Sequence, residues 1–246
     1  MENKLIYWDA GHEYNGKDSG AIGNGLKEGN LCVKVVNYGY KHLKENYVCD
    51  QYKDISNDSL NTITARSNKL GSDLFISVHF NAYKPNVGDG YEALVYNSKS
   101  KSLGTTFEKH VKAVGQNSRG VKYRDDLAVL RDTKCKAILN EIAFIDTKKD
   151  IKDWDEDKEL KKMGEALAKA AAEYLKLPKK ETKKTLKVGS KVKIKLGATD
   201  LNTKKKYSAW VYNNTFTVIS INGTRVAFGQ NGGVTGATNK SNVTLV

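Results

Sequence analysis

Two histidines, His12 and His79, each stand just beyond an apolar run, "LIYW" and "LFISV", that reads as a buried strand. In an open sheet covered on both faces, ligands gather in the crevice beyond the carboxyl ends of the strands, so both imidazoles are expected at one edge of the sheet. A third group comes from a helix. Glu28 is followed four, seven and eight residues later by Cys32, Val35 and Val36, which sets its carboxylate on the apolar stripe at the helix's first turn. A buried carboxylate needs a partner, and two neutral imidazoles with one carboxylate form a set that holds catalytic zinc while leaving a position for water. A capping or ion-pairing acid at the helix start is the other reading of Glu28.

The fourth candidate is Glu141, an acid inside the otherwise apolar "ILNEIAF". Zinc lowers the pKa of the water it holds to about 7, and a carboxylate within hydrogen-bond reach can take that proton and later pass it to a leaving amine. A buried salt bridge to Arg66 or Arg131 is the alternative for this residue. The "HE" at positions 12 and 13 does not open a helical metalloprotease motif, because position 16 is Gly16 rather than a second histidine. Asn81, two residues after His79, can orient substrate or close a turn. His42 and His110 sit beside lysines on helical segments and are expected to be solvated.

The elements that must position these groups can be read from periodicity. "KLIYW", "DLFISV" and "AILNEIAFI" are continuous apolar runs of the kind found in strands covered on both faces. Helical spacing links Cys32, Val35, Val36, Gly39 and Leu43; Leu60, Ile63, Ser67 and Leu70, with Asn57 or Asp58 as cap; Leu103, Phe107, Val111 and Val114; and Leu160, Met163, Leu167, Ala171 and Tyr174. Strands interleaved with helices predict an α/β domain around a mostly parallel sheet flanked by helices. Cys32, Cys49 and Cys135 are odd in number and unpaired in spacing, which argues against a disulfide framework or a thiolate metal site.

The chain has 246 residues, enough for one full core and a second small module. The amphipathic pattern stops before Pro178 and a lysine-rich run follows, giving three expected segments: a domain over 1–175, a linker over 176–186 and a second domain over 187–246. In the last, "KVKIKL" alternates lysine with apolar residues, and "TFTVISI", "RVAFG" and "NVTLV" are separated by "NG" and "NGG" turn signals, predicting a small all-β barrel. The net charge of +13 is almost all in this tail, where residues 176–246 carry 14 Lys and Arg against Glu181 and Asp200. Polyanion affinity is then a property of the tail alone. The start, "MENKLIYWD", has too few apolar residues in a row for a signal peptide, and no later run approaches a membrane span, so a protein made in the cytoplasm with no stable membrane association is expected.

"WDAGH", "GLKEGNL" with its glutamate sixteen residues after the histidine, "DLFISVHFNA" and "LNEIAFID" together resemble, in order and approximate spacing, the zinc-dependent N-acetylmuramoyl-L-alanine amidases of the third amidase family. The resemblance covers about residues 4–175. It implies a six-stranded sheet between helices, one zinc ion held by His12, Glu28 and His79, Glu141 as catalytic acid/base, and hydrolysis of the peptidoglycan amide joining muramic acid to L-alanine. Glu13 and Ile142 stand where the family more often has glycine, which bears on the cleft's shape rather than on the ligands.

The tail resembles the bacterial Src-homology-3-like wall-binding barrels of phage lysins and autolysins. That resemblance implies peptidoglycan and anionic wall polymers as partners, with Tyr207, Trp210 and Tyr212 either stacking on the wall or filling the core. The combination implies a phage endolysin that acts on the wall after the membrane is opened, working as a monomer. Two other classes compete: a non-catalytic wall-binding protein with a decayed amidase domain, and a nucleic-acid-binding protein suggested by the pI near 9.4. The confinement of charge to the tail and the lack of base-stacking motifs argue against nucleic acid as a partner.

Overall fold

A computed structural model describes residues 3–56, 58–181 and 185–246. The chain divides into two units, Met1–Lys180 and Glu181–Val246. The first is built on six strands: β1 (Leu5–Ala10), β2 (Asp50–Asp54), β3 (Leu74–Asn81), β4 (Tyr91–Val95), β5 (Ser118–Tyr123) and β6 (Lys136–Phe144). Their order across the sheet is β2-β1-β3-β6-β4-β5. β2, β1, β3 and β6 run parallel, β4 pairs antiparallel with β6, and β5 pairs parallel with β4. The expected six-stranded, mostly parallel sheet flanked by helices is what the chain forms.

Alternation along the strands sends side chains to two different cores. Ile6, Trp8, Ala10, Leu74, Ile76, Val78, Phe80 and Ile138 meet the face covered by α1 (Glu28–Asn46), α3 (Lys101–Ala113) and α4 (Asp157–Leu175). Tyr7, Phe75, Leu94, Ala137 and Leu139 meet the other face, under α2 (Leu60–Leu70) and the short helix Ala128–Arg131. His79 and Glu141 share the parity of Phe75 and Leu139, and so belong to the α2 face.

Two helix details differ from the sequence reading. The cap of α2 is Ser59, whose Oγ accepts from the Thr62 N–H at 3.3 Å. Asp58 instead pairs with Arg66, and Asn57 lies outside the described residues. The first unit also runs past the expected boundary at 175. Lys176 takes a left-handed φ of 54°, and the chain then turns back onto α1's end, where the Val48 N–H donates to Pro178 O at 2.8 Å and the Lys180 N–H to Asn46 O at 2.8 Å. Residues 176–180, expected in the linker, are thus hydrogen-bonded into the first unit. Residues 182–184 of that linker lie outside the described residues.

The second unit is a five-stranded antiparallel sheet of β7 (Lys191–Ile194), β8 (Thr215–Asn222), β9 (Arg225–Gln230), β10 (Gly233–Asn239) and β11 (Val243–Leu245), ordered β10-β9-β8-β7-β11. Val192, Ile194, Val211, Phe216, Val218, Val226 and Phe228 form its core.

Candidate active site

His12 lies two residues beyond the end of β1, with a left-handed φ of 62° that a non-glycine residue adopts only under constraint. Two glycines make room for what it faces. A Cβ on Gly11 would lie 2.3 Å from the His79 ring, and one on Gly20, whose φ is 67°, would lie 2.6 Å from Glu28 Oε2. His79 is six residues into β3, and Glu28 is the first residue of α1, where the helix dipole favours a negative charge. Strand end, strand and helix start thus bring the three groups together: one ligand atom from each of His12, Glu28 and His79 lies within 4.8 Å of the others.

The Glu28 carboxylate is fully used. Oε1 accepts from the Phe80 N–H at 3.1 Å and lies 2.9 Å from His79 Nδ1; Oε2 accepts from the Ala21 N–H at 2.8 Å and lies 3.4 Å from His12 Nε2. Burial alone would raise its pKa, but the His79 hydrogen bond and the field of both imidazoles hold it below the usual carboxylate range. His79 shows the reciprocal effect. Burial opposes its charge, yet the bond to Glu28 and the field of Glu141, Glu28 and Asp9 push it up to about 9. A ring that attracts a proton so strongly from its surroundings is equally suited to a metal cation.

Asp18, which the sequence reading passed over, fixes the tautomer of His12. Its Oδ1 lies 3.0 Å from His12 Nδ1, leaving Nε2 turned to the Glu28 side. Nothing in "KDSG" distinguishes this aspartate from an ordinary loop acid. Asp9 lies buried beneath the group and accepts from Ser77 Oγ at 2.6 Å, and burial pushes its pKa up.

Glu141 is the register partner of His79 across β3 and β6. Its Oε2 is buried with no hydrogen-bond partner, which carries a desolvation cost that a structural acid would ordinarily avoid. The salt-bridge reading does not hold: Arg66 is paired with Asp54 and Asp58, and Arg131 with Asp132. Burial, tempered by His79 and reinforced by Glu28 and Glu92, pushes Glu141 up to about 7, where a carboxyl group can both accept and return a proton near neutrality. Beside His12 and His79 opens a cleft of about 340 Å³ with apolar walls from Leu60, Ile63, Leu127 and Val129.

The remaining candidates separate. Asn81 ends β3, but its Nδ2 donates to Glu92 Oε2 at 3.2 Å rather than reaching the histidines. His110, expected to be solvated, has its Nε2 2.9 Å from Glu173 Oε2 of α4, and His42 is half-buried against Tyr47. In the second unit, Tyr207 OH donates to Ala237 O at 2.8 Å and Tyr212 OH to Ala198 O at 2.8 Å, and both rings pack on the core. Those two tyrosines hold the unit together, whereas Trp210 packs edge-to-face on Phe216, 5.5 Å between ring centroids, and stays 52 % exposed.

Fold and site together define an α/β hydrolytic protein, with a metal-competent group of two histidines and a glutamate at the strand ends and a buried carboxyl beside it. Residues 6–173 match the family model described as N-acetylmuramoyl-L-alanine amidase, and the chain belongs to that family. It is 35 % identical to an endolysin of Bacillus phage SPP1 over 190 residues, covering 72 % of this chain and 68 % of that one. It is 33 % identical to the sporulation-specific N-acetylmuramoyl-L-alanine amidase of Bacillus subtilis over 158 residues, covering 59 % of this chain and 58 % of that protein. Among solved structures, the catalytic domain of CwlV, an N-acetylmuramoyl-L-alanine amidase from Bacillus (Paenibacillus) polymyxa var. colistinus, shares the fold with a TM-score of 0.66 at 24 % identity, covering 71 % of this chain and 99 % of that one.

Proposed function

We propose that this peptidoglycan amidase is zinc-dependent and of the endolysin type, and that it cleaves the amide between muramic acid and L-alanine while its basic second unit holds the wall. The observation that carries the reading is the meeting of His12, Glu28 and His79 within 4.8 Å, beside a half-buried glutamate whose buried Oε2 has no hydrogen-bond partner. The donor set, two imidazoles and one carboxylate, suits zinc, which when bound polarises a substrate carbonyl and acidifies water.

The chain's own residues do the rest. Glu28, anchored by two backbone N–H groups, and His12, oriented by Asp18, keep their donor atoms aimed without rearrangement. Glu141 takes a proton from the attacking water and delivers it to the departing L-alanine nitrogen, so that one carboxyl serves both halves of the reaction. The apolar walls of the cleft beside the histidines lower the local dielectric, which strengthens the charge interactions around the reacting groups. The second unit, which we read as a wall-binding module of the Src-homology-3-like kind, contributes Trp210 and a row of exposed lysines for anionic wall polymers. Synthesis in the cytoplasm, with access to the wall only after the membrane opens, completes the endolysin reading.

End-group analysis of digested walls tests the reaction. New amino-terminal L-alanine without new reducing sugar, lost on chelation and restored by zinc, is the expected result. Walls that release neither group would favour a decayed, purely adhesive protein.

A further inference from the structure

Beyond Glu141 the sheet carries a second polar group that the hydrolytic reaction does not use. Glu92 on β4 is the register partner of Glu141 on β6, just as Glu141 is the partner of His79 on β3. The next strand outward, β5, supplies Arg119, whose Nε donates to Glu92 Oε1 at 2.7 Å, while Asn81 Nδ2 donates to Glu92 Oε2 at 3.2 Å. The guanidinium also lies over the Phe144 ring, 5.2 Å from its centroid. Glu92 and Phe144 thus fix the orientation of Arg119 from two sides, while its side chain stays 44 % exposed. These residues line a cleft of about 330 Å³ with Tyr83, Val87 and Gly88. Gly88 is required there, because a Cβ would run into the Phe144 ring.

An arginine whose Nε is committed and whose plane is held against an aromatic ring presents its terminal N–H groups as a fixed fork, a shape that matches a carboxylate. Adjacent strands lie about 4.8 Å apart, so a group bound at Arg119 lies roughly 5–10 Å from Glu141. An extended peptide advances about 3.4 Å per residue, which places that group about one and a half to three residues beyond the scissile amide, a span that includes the second residue of the stem. In a peptidoglycan stem the residue after L-alanine is a γ-linked glutamate whose α-carboxyl is either free or amidated. We propose that the Arg119–Glu92–Asn81 cleft is the subsite for this carboxylate, with Arg119 binding it and Glu92 acting as a positioning residue, so that the enzyme selects free-acid stems over amidated ones. The inference rests on the amidase reading above.

The test compares kcat/KM for muramoyl-L-alanyl-D-glutamate with that for muramoyl-L-alanyl-D-isoglutamine, using the full chain loaded with zinc. The wild type should prefer the acid by about tenfold or more, mainly through KM. Arg119→Gln should bring the ratio close to one, and Arg119→Lys, which keeps the charge but not the fork, should fall between. Equal rates on the two substrates in the wild type overturn the proposal whatever the variants do, as does a preference that survives in Arg119→Gln. Failure to cleave either substrate, or muramoyl-L-alanine itself, would instead sink the amidase reading on which the subsite depends.

Discussion

Glu28 and Glu141 show how environment divides the work of two carboxyls that flank the same histidine, one by hydrogen bond and one by strand register. Glu28 accepts from two backbone N–H groups, faces both imidazoles and is held below the usual carboxylate range, whereas Glu141 has an unsatisfied oxygen and is pushed up to about 7. The two should therefore fail differently on substitution. Glu141→Gln should lower the rate of wall hydrolysis about 10²- to 10⁴-fold while the protein still binds one zinc per chain, and His79→Ala should lose both activity and metal. Metal analysis of the purified variants beside their rates makes the distinction, and an active Glu141→Gln enzyme would remove that residue from the chemistry.

A third acid, Asp200, belongs to stability rather than catalysis. Its oxygens accept from the Asn202, Thr203 and Ala237 N–H groups at 2.8–3.0 Å, and Oδ2 shares the Tyr207 hydroxyl proton with Ala237 O. Burial opposes its charge, but these donors bring its pKa down to about 2. A carboxylate depressed in the folded state stabilises above its unfolded pKa of about 3.9 and loses that contribution as pH falls toward about 2. The second unit should accordingly loosen between about pH 4 and pH 2, and Asp200→Ala should cost it about 2–4 kcal/mol at neutral pH by orphaning buried donors. Hydrogen exchange within residues 187–246 reads both effects.

Close approach of the elements rests on glycines. α1 packs on α4 where a Cβ on Gly164 would lie 2.5 Å from Val35 O, and on the sheet where one on Gly39 would lie 2.6 Å from the Trp8 ring. A backbone carbonyl cannot move aside as a side chain can, so Gly164→Val should destabilise the first unit by about 1–3 kcal/mol without touching the site. Gly20→Ala should instead strike the site, weakening zinc binding about 10- to 100-fold because its Cβ presses on His12 and Glu28, with a stability cost of about 1–2 kcal/mol from the left-handed backbone. Thermal melts and metal titration of the two variants separate packing from site geometry. The same element scale decides what the sequence could reveal. β1, β3 and β6 are covered on both faces and announce themselves as apolar runs, and the four long helices keep their stripes, so the positions of His12, Glu28, His79 and Glu141 follow. β2 ("DQYKD") and β5 ("SRGVKY") are sheet edges with polar sequences, and β4 reverses direction after a loop, so neither they nor the Glu92–Arg119 pair they position left a periodic signal. Asp18 was equally hidden, since its partner is fixed only when the loop folds over His12.

For the whole molecule, charge is divided as sharply as structure. Residues 181–246 hold 11 Lys and Arg against Glu181 and Asp200, and Asp200 is buried with its charge satisfied internally. On β7 the lysines at 191 and 193 face solvent while Val192 and Ile194 fill the core, and Lys195 continues the exposed row. The alternation that builds the sheet therefore also aligns the ammonium groups, which is how a unit of this size can pair a packed interior with a basic face. Attraction of that origin is screened over about 10 Å at 0.1 M salt. Retention of the full chain on purified walls should fall steeply between 0.1 and 0.5 M salt, and reversing the charges with Lys191→Glu, Lys193→Glu and Lys195→Glu together should lower retention at 0.1 M by tenfold or more. The same triple variant should slow hydrolysis of insoluble walls far more than hydrolysis of a soluble muramoyl-peptide, because the wall reaction alone gains from holding the enzyme at its substrate. Equal slowing on both substrates would mean that the lysines serve the first unit rather than the wall, and retention that ignores salt would move the adhesive role to Trp210.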